Sequence, residues 1–166
     1  AVTIPSGVTS IGNDAFYGCR NLTEIDIPEG VTSIGDRAFY YCEYLKSVTI
    51  PNSVTSIGNL AFNGCWSLVE VTIPSSVTSI GDVAFYGCEN LSAFHVEEDN
   101  AYYCSQDGVL FDKNMTALMQ YPASKMGDAV YEIPQSVTTI AYGAFRLCRN
   151  LTEIIIPNSV ASIGNE

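Results

Sequence analysis

The chain has 166 residues, 47% hydrophobic and only 15% charged, which is material for one continuous core and not the composition of a disordered segment. Seven Lys and Arg stand against 18 Asp and Glu, a formal net charge of −11, and this sets aside nucleic acid and anionic lipid, whose interfaces depend on releasing counterions from phosphates. No run approaches the roughly 18–20 apolar residues that cross a bilayer, so membrane insertion by this segment is set aside as well.

In chain order, one phrase returns from end to end. Ile27-Pro28-Glu29-Gly30-Val31-Thr32-Ser33-Ile34-Gly35, followed by Ala38-Phe39, Cys42 and Leu45, recurs as Ile50-Pro51 through Gly58, then Ala61-Phe62, Cys65 and Leu68. Pro5, Pro28, Pro51 and Pro74 are each 23 residues apart, as are Pro134 and Pro157, and Cys19, Cys42, Cys65 and Cys88 keep the same step. A fixed period of roughly 20–29 residues means coils stacked as a solenoid, each contacting only its neighbours. Both ends fall inside a repeat, so the chain reads as a piece of a longer protein.

Within one coil, Leu22, Ile25 and Ile27 have the L-x-x-L-x-L spacing of leucine-rich repeats. The alternation of Ile25 and Ile27 about Asp26 predicts a strand with one wet face, and Pro28 ends it for want of an N–H. Val31-Thr32-Ser33-Ile34 predicts a second short extended piece, which Gly35 can turn. Ala38, Phe39 and Cys42 fit one face of a single helical turn. Regular coils are expected over about 1–96 and 134–166.

Between them, 97–133 breaks the pattern. Glu97-Glu98-Asp99-Asn100 stands where the next Ile-Pro is due and is read as a solvated acidic turn; it lacks the spaced oxygen ligands of a calcium loop. Val109-Leu110-Phe111 and Ala117 to Tyr121 flank Asp112-Lys113-Asn114-Met115, which predicts a hairpin. The unit is expected to be a variant coil that stays in the stack.

The phrase I-P-x-x-V-T-x-I-G-x-x-A-F-x-x-C-x-x-L resembles the BspA-like leucine-rich repeat family. The resemblance implies a leucine-rich-repeat solenoid, a right-handed parallel β-solenoid with short helical turns. It also implies display at a bacterial cell surface or outside the cell, and host extracellular matrix or plasma proteins as a partner class.

Reactive chemistry has little to work with. The column cysteines, Cys148 included, are expected to be buried, unpaired thiols, since neighbours about 5 Å apart with parallel side chains point the wrong way for a disulfide. Cys104, outside the column, is the best candidate for a reactive thiol. The single histidine, His95, is read as a solvated strand residue, and Glu24, Asp26 and Glu70 would lie on an open ribbon with nothing to exclude water. No catalytic residue, metal site or cofactor is expected.

Two surfaces recur with the period. Glu24, Asp26, Ser47, Thr49, Glu70, Thr72, His95 and Glu153 occupy the wet positions of the strand before each proline and form the candidate partner-binding face for a protein. Tyr17, Tyr40 and Tyr86 each follow the core Phe and form a candidate aromatic column, suited to a glycan. Asn63 and Arg146 share that slot, so the column is broken. The readings are an adhesion or protein-binding module, a glycan-binding module, or a rigid spacer projecting another domain.

Overall fold

In the computed structural model, which describes residues 2–127 and 129–165, the chain forms a parallel β-solenoid of about seven turns. Each regular coil contributes two short strands. The strands before the prolines build a ribbon in three sheets: Val2–Thr3 beside Glu24–Asp26 beside Ser47–Thr49, then Glu70–Ile73 beside Ala93–Val96, then Val130–Glu132 beside Glu153–Ile155. Two-residue strands build a second ribbon from Ser10–Ile11, Ser33–Ile34, Ser56–Ile57 and Ser79–Ile80. In the regular part the partner of each strand residue is the one 23 further on, as Asp26 with Thr49 and Ile34 with Ile57, so the sequence period is the sheet register.

The ribbons enclose a core in which every coil repeats its neighbour. Val31, Ala38, Phe39, Cys42 and Leu45 are fully buried, and so are Val54, Ala61, Phe62, Cys65 and Leu68 one coil on. Phe16, Phe39, Phe62 and Phe85 stack with centroids 5.2, 5.0 and 5.3 Å apart and planes within 9° of parallel. Each such ring contributes roughly 1.5–3 kcal/mol by burial, which only a neighbouring coil makes possible.

The helical turn expected at Ala38–Cys42 is not formed, and no helix occurs among the described residues. The segment is an arc with alternating hydrogen bonds. Ala38, Tyr40 and Cys42 donate three residues back, to the carbonyls of Gly35, Arg37 and Phe39. Arg37, Phe39 and Tyr41 donate across to Asn59, Ala61 and Asn63 of the following coil at 2.7–2.9 Å. A helix would spend every N–H on its own axis. Reaching outward at every second residue needs left-handed backbone twice per arc: Asp14 and Gly18, Arg37 and Tyr41, Leu60 and Gly64, Val83 and Gly87, Gly143 and Leu147 all have φ between 50° and 74°. The arcs donate forward along the chain. Residues flanking the short strands donate backward, as in Thr32 N–H to Thr9 O and Gly58 N–H to Ile34 O, while the paired parallel strands themselves donate alternately both ways.

The irregular unit stays in the stack, as its sequence predicts. Tyr103–Gln106, Val109–Asp112 and Ala117–Gln120 form an antiparallel meander, and Ala117 and Leu118 then pair in parallel with Thr139 and Ile140. Asp112 fixes the turn by accepting from the N–H groups of Thr116 and Ala117, each at 2.7 Å. Tyr121 takes the slot of the core phenylalanines, donating its N–H to Ala144 O as Phe39 does to Ala61 O. Met119 takes the slot of Gly35, because Ala141 donates to Leu118 O as Gly58 does to Ile34 O. Slots four residues apart in a regular arc are therefore two apart here.

Two expectations are corrected. The acidic turn is not simply solvated, because Asn100 is fully buried. Its Nδ2 donates to Pro74 O and Val77 O, and its Oδ1 accepts from the N–H groups of Tyr102 and Tyr103, all at 2.8–3.0 Å. Ser53 and Ser76 serve the regular coils in the same way, donating to Val31 O and Val54 O; the amide replaces a hydroxyl where the chain must also start a meander. The cysteine column is only partly buried. Cys42, Cys65 and Cys88 are buried, Cys148 is half-buried and Cys19 is exposed; all are free thiols. Each buried thiol reaches the carbonyl of the Phe one coil earlier, and Cys19 lies in the first coil described.

Candidate functional site

The strands before the prolines carry the predicted face on three short parallel sheets. Glu24, Asp26, Ser47, Thr49, Glu70, Thr72, His95 and Glu153 are all exposed, while Ile25 and Val71 between them are buried. Alternation puts one side chain in two outward, and parallel register sets Glu24 beside Ser47, Asp26 beside Thr49 and Thr72 beside His95. Glu70 Oε2 lies 3.5 Å from His95 Nε2, a pair with both members more than half exposed. The ribbon grades from carboxylates at Glu24 and Asp26 through hydroxyls to this pair. Glu153 lies further along, in a strand whose other outward residue, Ile155, is exposed and apolar.

The aromatic column divides. Tyr17 and Tyr40 stack at 5.1 Å, but Asn63 holds the next slot and is buried. Tyr86 belongs to a second group, with Tyr142 at 6.1 Å and the Arg146 guanidinium 4.1 Å above its ring. Sequence reasoning places Tyr41 and Tyr44 close to this column but misses Trp66. Tyr41 meets Tyr40 edge-on at 4.4 Å and Trp66 at 6.4 Å, and Tyr44 and Trp66 are exposed. The signal was present: Trp66 follows Cys65 in the slot held elsewhere by Arg20, Glu43 and Glu89, all solvent-facing types. A hydrogen bond to Tyr41, with burial second, raises the Tyr40 phenol above its ordinary range.

The thiols are held protonated. Burial pushes Cys42 and Cys88 up to about 12, and Cys65 well above the ordinary thiol value. Cys104 is half-buried, and burial raises it too, while its Sγ donates to Asp112 O at 3.2 Å. That environment is opposite to the one that activates a nucleophilic thiol. Among the described residues no three His, Cys, Asp or Glu side chains gather into a metal-binding group. In the acidic turn, Glu97 Oε2 accepts from Ser75 N–H and Asn100 points inward, so these oxygens serve the backbone.

Comparison with known proteins follows this geometry. The sequence matches the family described as BspA type leucine rich repeat region, in six copies, over residues 1–118 and 125–166. Among curated proteins nothing matches. A leucine rich cell surface protein from Faecalibacterium prausnitzii is 41% identical with a TM-score of 0.87, over 94% of this chain and 41% of that one. A leucine-rich repeat protein from Eubacterium ventriosum is 34% identical with a TM-score of 0.83, over 98% and 49%. The pneumococcal vaccine antigen PcpA is 28% identical with a TM-score of 0.81, over 98% and 46%. The chain thus spans at most about half the length of these structures.

Proposed function

Because this chain belongs to the BspA-type leucine-rich repeat family, we propose that it is a non-catalytic binding module of a bacterial surface protein that takes a protein partner on its strand ribbon. The single observation that carries this reading is the set of eight exposed strand side chains, with Glu24 and Ser47, Asp26 and Thr49, and Thr72 and His95 side by side in parallel register. A rigid array of small polar groups, repeated at the coil spacing, offers many weak contacts at once, and its stiffness spares the entropy of ordering. The surface location rests on relatives, one of which is called a cell surface protein. Host matrix or plasma proteins are the partner class to test.

The test is binding of the purified chain to arrayed matrix proteins, plasma proteins and glycans at two salt concentrations. Saturable protein binding that is lost when Asp26, Thr49 and Thr72 are jointly replaced by Ala supports the reading. Binding that survives this change refutes the ribbon as its seat, and silence across the array favours a spacer. A glycan reading is favoured by one observation, the exposed rings of Tyr17, Tyr41 and Trp66 linked through Tyr40; loss of glycan binding in Trp66→Ala would identify it.

A further inference from the structure

The shortened arc of the irregular unit leaves its neighbours facing each other across a cleft of about 430 Å³, within the roughly 300–1,000 Å³ usual for ligand sites. Leu110, Met119 and Gln120 lie beneath it, residues 80–86 form one wall and residues 141–143 the other. The walls carry main-chain groups set up for a rung. Leu60 N–H donates forward to Asp82 O at 3.0 Å, and Gly143 N–H to Asn165 O at 3.2 Å. Val83 N–H holds the same slot as these donors, and among the described residues no acceptor meets it. Tyr142 C=O holds the slot of the Asp82 acceptor, and among the described residues no donor meets it.

A third group completes the set. Asn13, Asp36 and Asn59 form a ladder in which each side-chain oxygen accepts the N–H of the residue one coil on, at 2.7–2.8 Å. Asp82 is the last member, and its exposed carboxylate at the cleft has no N–H donor among the described residues. The cleft therefore offers one main-chain donor, one main-chain acceptor and one carboxylate, in the arrangement that an arc of backbone satisfies elsewhere in this molecule.

We propose that this cleft binds an extended segment of a partner polypeptide. A carbonyl of that segment accepts from Val83 N–H, and its N–H groups donate to Tyr142 C=O and to Asp82, as in pairing at an open sheet edge. Small side chains suit the site, because the Tyr86 ring lies so close over Gly143 that a Cβ there would stand 2.6 Å from it. The net charge of −11 and Asp82 both favour a neutral or basic segment. This proposal is independent of the strand ribbon, which uses different residues.

The experiment titrates the 15N-labelled chain with acetyl-Ala-Gly-Asn-Ala-Gly-amide, with the same peptide N-methylated at its central residues, and with cellobiose. Saturable shifts at Val83 and Tyr142 are expected with the first peptide. Weakening by about tenfold is expected on N-methylation or in Asp82→Ala, the effect of losing one charge-assisted hydrogen bond. Met119→Trp should fill the cleft and abolish the shifts, and the Asp26, Thr49 and Thr72 substitutions should leave them intact. No shift at tens of millimolar peptide, equal binding of the N-methylated peptide, or shifts with cellobiose alone would each overturn it. The N-methylation arm leaves the protein unchanged, so the result does not depend on a variant folding.

Discussion

The Cys65 thiol donates to the main-chain carbonyl of Phe39, one coil back, at 3.2 Å. Cys42 does the same to Phe16 O at 3.2 Å and Cys88 to Phe62 O at 3.3 Å. In the irregular coil the Gln120 amide takes over, donating to Phe85 O at 3.0 Å. The cysteine column is thus a set of buried caps on the carbonyls beside the phenylalanine stack, each a weak donor in a place where water cannot reach.

Titration of these thiols should be visible in stability. Their folded values lie above the ordinary thiol value of 9.0, at about 12 for Cys42 and Cys88. The unfolded chain ionises first, so the stabilisation is complete below pH 9 and is lost as pH rises from there towards about 12. Urea midpoints should be flat up to about pH 8 and fall above 9. A thiol reagent near neutral pH should label exposed Cys19 in the folded chain and spare Cys65 until unfolding; fast native labelling of Cys65 would contradict this.

Gly58→Ala should destabilise by more than about 2 kcal/mol, because a Cβ there would stand 2.5 Å from Asp36 N and 2.6 Å from Gly35 C, both backbone. Gly12→Ala, in the corresponding slot of the first coil, meets nothing within 4 Å and should shift stability by less than about 0.5 kcal/mol. Equal losses in chemical denaturation would mean that the coils are not in contact along this column.

The left-handed positions separate strain from crowding. At Gly87, φ is +74° and a Cβ has ordinary room, 3.5 Å from Gly64 N; Ala there should cost about 1–2 kcal/mol through conformation alone. At Gly64 a Cβ would also stand 2.3 Å from the Tyr41 ring, so Ala there should cost more. Truncating Tyr41 to Ala should remove that excess, giving a coupling of about 0.5–3 kcal/mol in a double-mutant cycle.

Asn100→Ala would strip partners from Pro74 O, Val77 O and the N–H groups of Tyr102 and Tyr103. A loss of roughly 2–4 kcal/mol is expected, from unsatisfied buried polar groups. Asn100→Asp keeps the acceptor but turns a carboxylate towards two carbonyls, and should lose no less at neutral pH. A near-neutral effect of either substitution in urea titration would show that water replaces the amide.

The ribbons were legible because strand register and sequence period are one quantity, and the wet positions of Asp26, Thr49 and Thr72 follow from alternation. The arc was not, because six of the ten left-handed positions named above are Asp14, Arg37, Tyr41, Leu60, Val83 and Leu147, and all but Asp14 are residues with no local preference for that backbone. What holds Asp14, Arg37, Tyr41 and Leu60 there is hydrogen bonding to the next coil, which no single window displays. Ala38, Phe39 and Cys42 fit a helical face because both a helix and this arc turn the same side chains inward. Asn100 was hidden for a different reason: beside Glu97, Glu98 and Asp99 its neighbours suggest water, and only the fold turns it in. The aromatic edge was half legible, since Tyr17 and Tyr40 are periodic while Trp66 occurs once.

The opposed directions of bonding in the arcs and beside the strands bear on how long such a stack can be. In an α-helix all peptide dipoles align and the ends acquire partial charges. Here the arcs point their N–H groups towards the following coil, residues flanking the strands such as Thr32, Gly35 and Lys46 point theirs towards the preceding one, and paired parallel strands alternate, so the peptide dipoles along the axis largely cancel. Neither end accumulates charge as coils are added. The backbone dipole therefore sets no preferred coil number, and the length of such an array is free to follow the reach its function requires.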